Sequence, residues 1–218
     1  MPQLFRRRTN TVARLTLVAV VVLPIAIAAG GYAFLQSAYV TGVGVPRAQP
    51  VPFSHAHHVG GLGIDCRYCH TSVEKAAFAG MPATETCMTC HSQIWADSPM
   101  LAPVRESYAK DVPLQWTRVT DLPDYVYFDH HIHVAKGIGC TSCHGRVDEM
   151  PLTWKAENMR MAWCLSCHRA PERHLRPREA VFDPAWQAPR DQLVQGKELL
   201  ERYHVNVQSL SDCSTCHR

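Results

Sequence analysis

Three features of this 218-residue chain predict its fold class. All ten cysteines fall into five Cys-x-x-Cys-His motifs. A stretch of 21 uncharged, mostly apolar residues lies near the N-terminus. Aromatic residues make up only 8% of the chain, so bound groups are expected to supply much of the apolar mass. Together these features predict a mostly irregular and α-helical domain organised around five haems, with one N-terminal transmembrane helix.

The motifs are Cys66/Cys69/His70, Cys87/Cys90/His91, Cys140/Cys143/His144, Cys164/Cys167/His168 and Cys213/Cys216/His217. This is the attachment signature of a c-type haem. The two thiols add across the vinyl groups, and the histidine that follows binds the iron. On a helical turn, positions i, i+3 and i+4 share a face, so one short motif presents all three groups to one macrocycle. Zinc sites or disulfides are the alternative use of such cysteines. Five complete motifs with no cysteine left over argue against it.

Leu15 to Leu35 carries no charge and is long enough to span a bilayer. Arg6, Arg7, Arg8 and Arg14 precede it, and no acidic residue occurs before Asp65. The positive-inside rule then puts residues 1–14 in the cytoplasm and everything after the span outside. The expected setting is a single-pass membrane chain with an exported haem domain. Export fits the cysteines, since c-type haem is normally attached outside the cytoplasm. A cleaved signal peptide is the competing reading, and Ala26-Ile27-Ala28 resembles a cleavage site. The apolar stretch exceeds a usual signal core, and the internal Pro24 is tolerated in membrane helices, so an uncleaved anchor is expected.

Residues 36–52 read as a linker rich in Gly and Pro. An internal repeat follows. Residues 53–70 (FSHAHHVGGLGIDCRYCH) and 128–144 (FDHHIHVAKGIGCTSCH) share Phe-x-His-x-x-His-Val, a glycine-containing turn and a motif. In each copy a second motif follows. The pattern predicts two modules, residues 53–125 with the first two haems and their connector, and residues 126–218 with the other three. Pro99, Pro103, Pro113 and Pro123 suggest an extended connection between them. Local helices are expected after Thr84 into the second motif, over 154–168 after Thr153, and over 192–203 after Asp191.

A second axial ligand on each iron makes a low-spin electron-transfer centre, and an open position makes a possible catalytic one. His-x-x-His spacing puts two imidazoles on one turn, where they can reach two different irons. His55/His58 and His130/His133 therefore supply four distal ligands. His57 and His131 fall off the shared spacing and are expected to be ordinary surface histidines. One donor is missing, with Met150, Met159, Met161, His174 and His204 as candidates. Met150 is preferred, because it follows the third motif on a short turn that could return its thioether over a neighbouring haem.

The formal charge of +3 comes from the N-terminus: without Arg6, Arg7, Arg8 and Arg14, 18 basic residues face 19 acidic ones. Haem propionates would add negative charge. A nucleic-acid partner has no electrostatic support.

The His-x-x-His segments resemble those of class III multihaem cytochromes c. There the first histidine serves the haem just downstream and the second a more distant one. That resemblance implies His55 for the first haem and His130 for the third. Over nearly the whole chain beyond the anchor, FSHxxHV, TCMTCHSQIW, YFDHHIHVAKGIGC, CHGRVDEMPL and WCLSCHRAPE resemble the pentahaem cytochrome c subunit of alternative complex III, a bacterial quinol:electron-acceptor oxidoreductase. The resemblance implies partners: an iron–sulfur subunit, polytopic quinol-binding subunits and a monohaem cytochrome c. Electrons would leave to a soluble cytochrome or a terminal oxidase. Two other classes stay open. A multihaem reductase would need an open haem beside acid–base groups, and its lysine-variant attachment motif does not occur here. A small membrane-anchored quinol dehydrogenase shares the anchor but not the haem count or the repeat.

Overall fold

A computed structural model describes residue 6 and residues 8–217. Arg7, which entered the topology argument, lies outside the described residues. The chain divides into two compact units, Met1–Val43 and Gly44–Arg218.

The first unit is built on α1 (Thr9–Gln36), 28 residues that run without a break through Pro24, followed by the short α2 (Ala38–Thr41). At the helical rise per residue, α1 is about 42 Å long, more than a bilayer's apolar thickness. None of its residues is buried, and the helix is long and apolar enough to cross a membrane. Pro24 costs little where neighbouring carbonyls can adjust.

The second unit has short helices joined by turns and 3-10 segments. They are α3 (Cys66–Cys69), α4 (Thr84–His91), α5 (Ala102–Lys110), α6 (His130–Ala135), α7 (Thr141–His144), α8 (Met161–His168), α9 (Gln192–Arg202) and α10 (Cys213–Cys216). Extended pairing among the described residues is limited to isolated bridges, among them the antiparallel pairs Pro46 with Trp154 and Ile138 with Leu175.

Two expectations need correction. The helix expected over 154–168 begins only at Met161, because residues 153–155 run beside the start of the unit. Gly44 N–H donates to the Lys155 carbonyl at 2.9 Å and Arg47 N–H to the Thr153 carbonyl at 3.4 Å. The proline-rich connector is not extended throughout either. Pro103 sits in the first turn of α5, where a missing N–H costs nothing, so the segment helices rather than straightens.

The apolar core is thin and divided. Among the described residues only nine apolar side chains are buried. Val51, Leu101 and Val104 form one cluster with Cys87, Met88, Leu114 and Trp116 packed against it. Leu175, Leu199 and Tyr203 form another, with Ile138, Leu200 and Val205. A domain of this size ordinarily buries far more. Covalently held macrocycles fit that deficit, since each carries a large apolar face.

Candidate haem-binding sites

Each attachment motif forms one helical turn. Four-residue helices cover the first, third and fifth motifs, and α4 and α8 end in the second and fourth. None of the ten cysteines is paired in a disulfide, so each motif keeps both sulfurs for a macrocycle.

The four histidines expected as distal ligands sit on two turns of nearly identical internal geometry. Phe53 lies edge-on to His55 at 4.9 Å and stacks on His58 at 4.4 Å and 25°. Phe128 repeats this with His130 at 4.7 Å and His133 at 4.5 Å and 28°. In both turns the second histidine donates Nδ1–H to the carbonyl four residues back, His58 to Ser54 at 2.9 Å and His133 to Asp129 at 2.6 Å. One phenylalanine thus orients two imidazoles. The sequence shows this residue in both copies but says nothing of its role, which depends on the ring contacts.

The two turns differ in one respect. The second is an α-helical turn, α6, whereas the first is π-helical over Ala56–Gly61. The first copy has one more residue between its phenylalanine and its first cysteine. A π-turn absorbs a single inserted residue without disturbing the rings before it.

The two turns bring distal and motif histidines into facing pairs. Ring centres are 6.2 Å apart for His58 and His91, 6.3 Å for His130 and His144, and 6.1 Å for His133 and His168. A shared iron imposes such a spacing. Two metal–nitrogen bonds of about 2 Å, plus roughly 1.1 Å from each nitrogen to its ring centre, give about 6.2 Å. His55 lies close to His70 and His58; burial first, and then those two imidazoles, push its pKa down to about 4.

Second-atom contacts set the tautomers. Nδ1–H donates to a backbone carbonyl in His70 (Gly80, 2.8 Å), His91 (Ile94, 3.0 Å), His130 (Ala77, 2.9 Å), His168 (Leu210, 3.0 Å) and His217 (Tyr125, 3.1 Å). His55 Nδ1 meets the Thr153 hydroxyl at 3.0 Å. A proton fixed on Nδ1 leaves the Nε2 lone pair available to a metal. Burial also favours the neutral, ligating ring: it is the main cause that pushes His144 down to about 4 and lowers His133. Donor set, tautomers and ring spacing all fit haem iron. The carbonyl partners of His130, His168 and His217 come from distant turns and carry no sequence signal.

The remaining candidates lie apart from these pairs. His57 is exposed and stacks on Trp95 at 6.2 Å and 19°. His131, His174 and His204 are exposed. Met150 is 2% exposed and packs near Gly145, in the turn after the third motif, where His144 already faces His130. Met161 opens α8 and is 61% exposed, one turn ahead of Cys164. The fifth motif's His217 is tilted against Tyr125, ring centres 5.9 Å apart.

The motifs do not neighbour one another in chain order. The second touches the first through Tyr68 Oη and Thr89 Oγ1 at 2.9 Å. The first touches the third, where Cys66 and Cys140 are neighbours and both approach the Val181–Phe182 segment, Cys66 through its thiol and Cys140 through its backbone N–H. The third adjoins the fourth through Cys143 beside Cys167 and Cys164, and Cys164 adjoins Cys216 of the fifth. The series therefore runs second, first, third, fourth, fifth.

Comparison with known proteins agrees with this geometry. The family model described as cytochrome c7 and related cytochrome c matches residues 51–104 and 126–218. The chain is also 31% identical, over 174 residues, to the menaquinone reductase multihaem cytochrome c subunit of Nitratidesulfovibrio vulgaris (strain Hildenborough). The match covers 70% of this chain and 80% of that protein. Membership implies covalently bound c-type haem and a role in electron transport. The chain is a multihaem cytochrome c, and it belongs to the family of cytochrome c7 and related cytochromes c.

Proposed function

We propose that this chain is a membrane-anchored, periplasmic five-haem subunit that carries electrons between a quinone-reactive membrane complex and a downstream carrier. The observation that carries the reading is the set of three imidazole pairs at 6.1, 6.2 and 6.3 Å. When bound, c-type haem supplies reversible one-electron chemistry at iron. The chain's own residues supply attachment, axial donors and spacing.

Cys66 and Cys69, Cys87 and Cys90, Cys140 and Cys143, Cys164 and Cys167, and Cys213 and Cys216 would each hold one haem. The axial pairs would be His70 with His55, His91 with His58, His144 with His130, and His168 with His133. His217 would take the fifth iron from one side. For its other side, Met150 was the sequence's choice, but a sulfur already enclosed beside Gly145 has little room to bind. Met161 suits the position better, being exposed on the same face of α8 as Cys164, which adjoins Cys216. Met161→Ala should open or re-ligate one iron and lower one potential, with Met150→Ala leaving all potentials in place. The reverse result would restore Met150.

The two modules, residues 53–125 and 126–218, are supported by the duplicated Phe–His–His geometry. Residues 15–35 of α1 would be the anchor, with residues 1–14 cytoplasmic as Arg6, Arg8 and Arg14 require. The close resemblance to the pentahaem subunit of alternative complex III supports quinol as the electron source. It also supports an iron–sulfur subunit, polytopic subunits and a monohaem cytochrome c as partners. The relative's name favours a second reading, in which the same series delivers electrons to menaquinone. Anaerobic addition of quinol to the purified complex separates the two. Rapid haem reduction, followed by reoxidation by a soluble cytochrome c or oxidase, is expected. Haems that stay oxidised with quinol, yet reduce menaquinone once reduced, would support the second reading instead.

A further inference from the structure

Arg176 is the most buried charged side chain among the described residues, at 4% exposure. Its guanidinium lies against Gly139, where a Cβ would run into Cζ, and its other face covers the Trp186 ring at 4.3 Å. Nη1 donates to the carbonyls of Ala180 at 3.4 Å and Asp183 at 3.3 Å. Nη2 donates to Thr141 Oγ1 at 3.1 Å and Ser142 Oγ at 3.4 Å. Nε is buried with no partner. No carboxylate among the described residues comes within ion-pair distance of it; the acid whose charge it feels is the exposed Asp183.

Thr141 and Ser142 are the two residues between Cys140 and Cys143. A full positive charge is therefore pressed against the attachment loop of the third site, the middle of the series. Burying a charge with no carboxylate of the chain beside it is costly. Packing alone would be met more cheaply by an apolar side chain. Arginine also stays charged when buried, and its plane fits the slot between Gly139 and the indole. Arg67, in the first motif, makes a contrast. It is exposed and paired bidentately with Asp65 at 2.8 and 2.9 Å, so its field is neutralised and screened.

We propose that Arg176 is a positioning residue for the third site, a buried guanidinium with no carboxylate of the chain beside it, which raises the reduction potential of the haem that Cys140, Cys143 and His144 would hold. Oxidised haem carries one more positive charge than reduced haem. A fixed neighbouring cation in a medium of low dielectric disfavours the oxidised form. The middle site would then be a readily filled station between the two ends. The inference rests on the haem reading above.

The test is a potentiometric titration of the full-length, detergent-extracted holoprotein, followed by visible and low-temperature spectra. Arg176→Gln should move one transition of the five to lower potential and leave the others. Arg176→Lys, which keeps the charge, should move it much less. Asp183→Asn, an exposed and mild change, should move the same transition upward. A five-haem Arg176→Gln protein with every potential unchanged would overturn the proposal, as would equal shifts in the Gln and Lys variants. If Arg176→Gln fails to load haem, Asp183→Asn decides: no upward shift in any transition overturns it. Failure of the haem reading looks different, because the third-motif peptide of the unmodified protein would then carry no haem by mass, and both readings would fall.

Discussion

Replacing His58 tests the ligand assignment against its nearest decoy. His57 and His58 are adjacent, with ring centres 5.3 Å apart, but only His58 faces a motif histidine, His91 at 6.2 Å. His57 instead stacks on Trp95. On the proposed assignment, His58→Ala would remove one axial imidazole and open the second site to a water or a diatomic ligand. One iron in five should turn high-spin. The reduced protein should then bind one carbon monoxide per chain, where the unmodified protein binds none. The substitution also removes the 2.9 Å bond to the Ser54 carbonyl and the 4.4 Å stack on Phe53. At about 1 kcal/mol for each, the loss apart from the metal bond is about 2 kcal/mol, too small to unfold the domain. His57→Ala, assayed alongside by electron paramagnetic resonance and carbon monoxide titration, should keep five low-spin irons. An unchanged low-spin count in His58→Ala, or the high-spin signal appearing in His57→Ala, would refute the assignment.

Other outcomes follow from the same geometry. Denatured mature protein should carry five haem additions by mass and no titratable thiol, and four or fewer would contradict the use of all ten cysteines. The mature chain should stay with membranes after salt and carbonate washes and keep its N-terminal residues; an N-terminus near residue 29 would mean that the apolar helix is a cleaved signal. Gly60→Ala should destabilise the holoprotein by about 1–3 kcal/mol, because the added Cβ meets the Asp148 carbonyl and forces the first His-x-x-His turn off the 147–149 segment. Thermal unfolding would measure it, and a melting temperature within a degree of the unmodified protein would show that the two segments separate freely.

Much of the chemistry was legible in the sequence because it is local. A Cys-x-x-Cys-His motif is complete within five residues, so its spacing alone states which groups meet one macrocycle. The apolar helix is likewise a matter of composition and length, and α1 contains the whole of residues 15–35. The duplicated Phe-x-His-x-x-His could be read as a repeat because both copies keep the same offsets.

Partners distant along the chain were decided only by tertiary structure. Nothing in the order of residues states that His58 faces His91 while His133 faces His168, or that the motifs neighbour one another as second, first, third, fourth and fifth. Met150 and Met161 look alike as thioether donors; packing encloses one beside Gly145 and leaves the other open on α8. The helix expected over 154–168 lost its first half to pairing with residues 44–47, a contact across more than a hundred residues. Arg176, too, reads as an ordinary surface charge until Gly139, Trp186 and the third motif close around it. Local spacing determines which atoms can bind, whereas burial and facing depend on contacts between segments far apart in the chain.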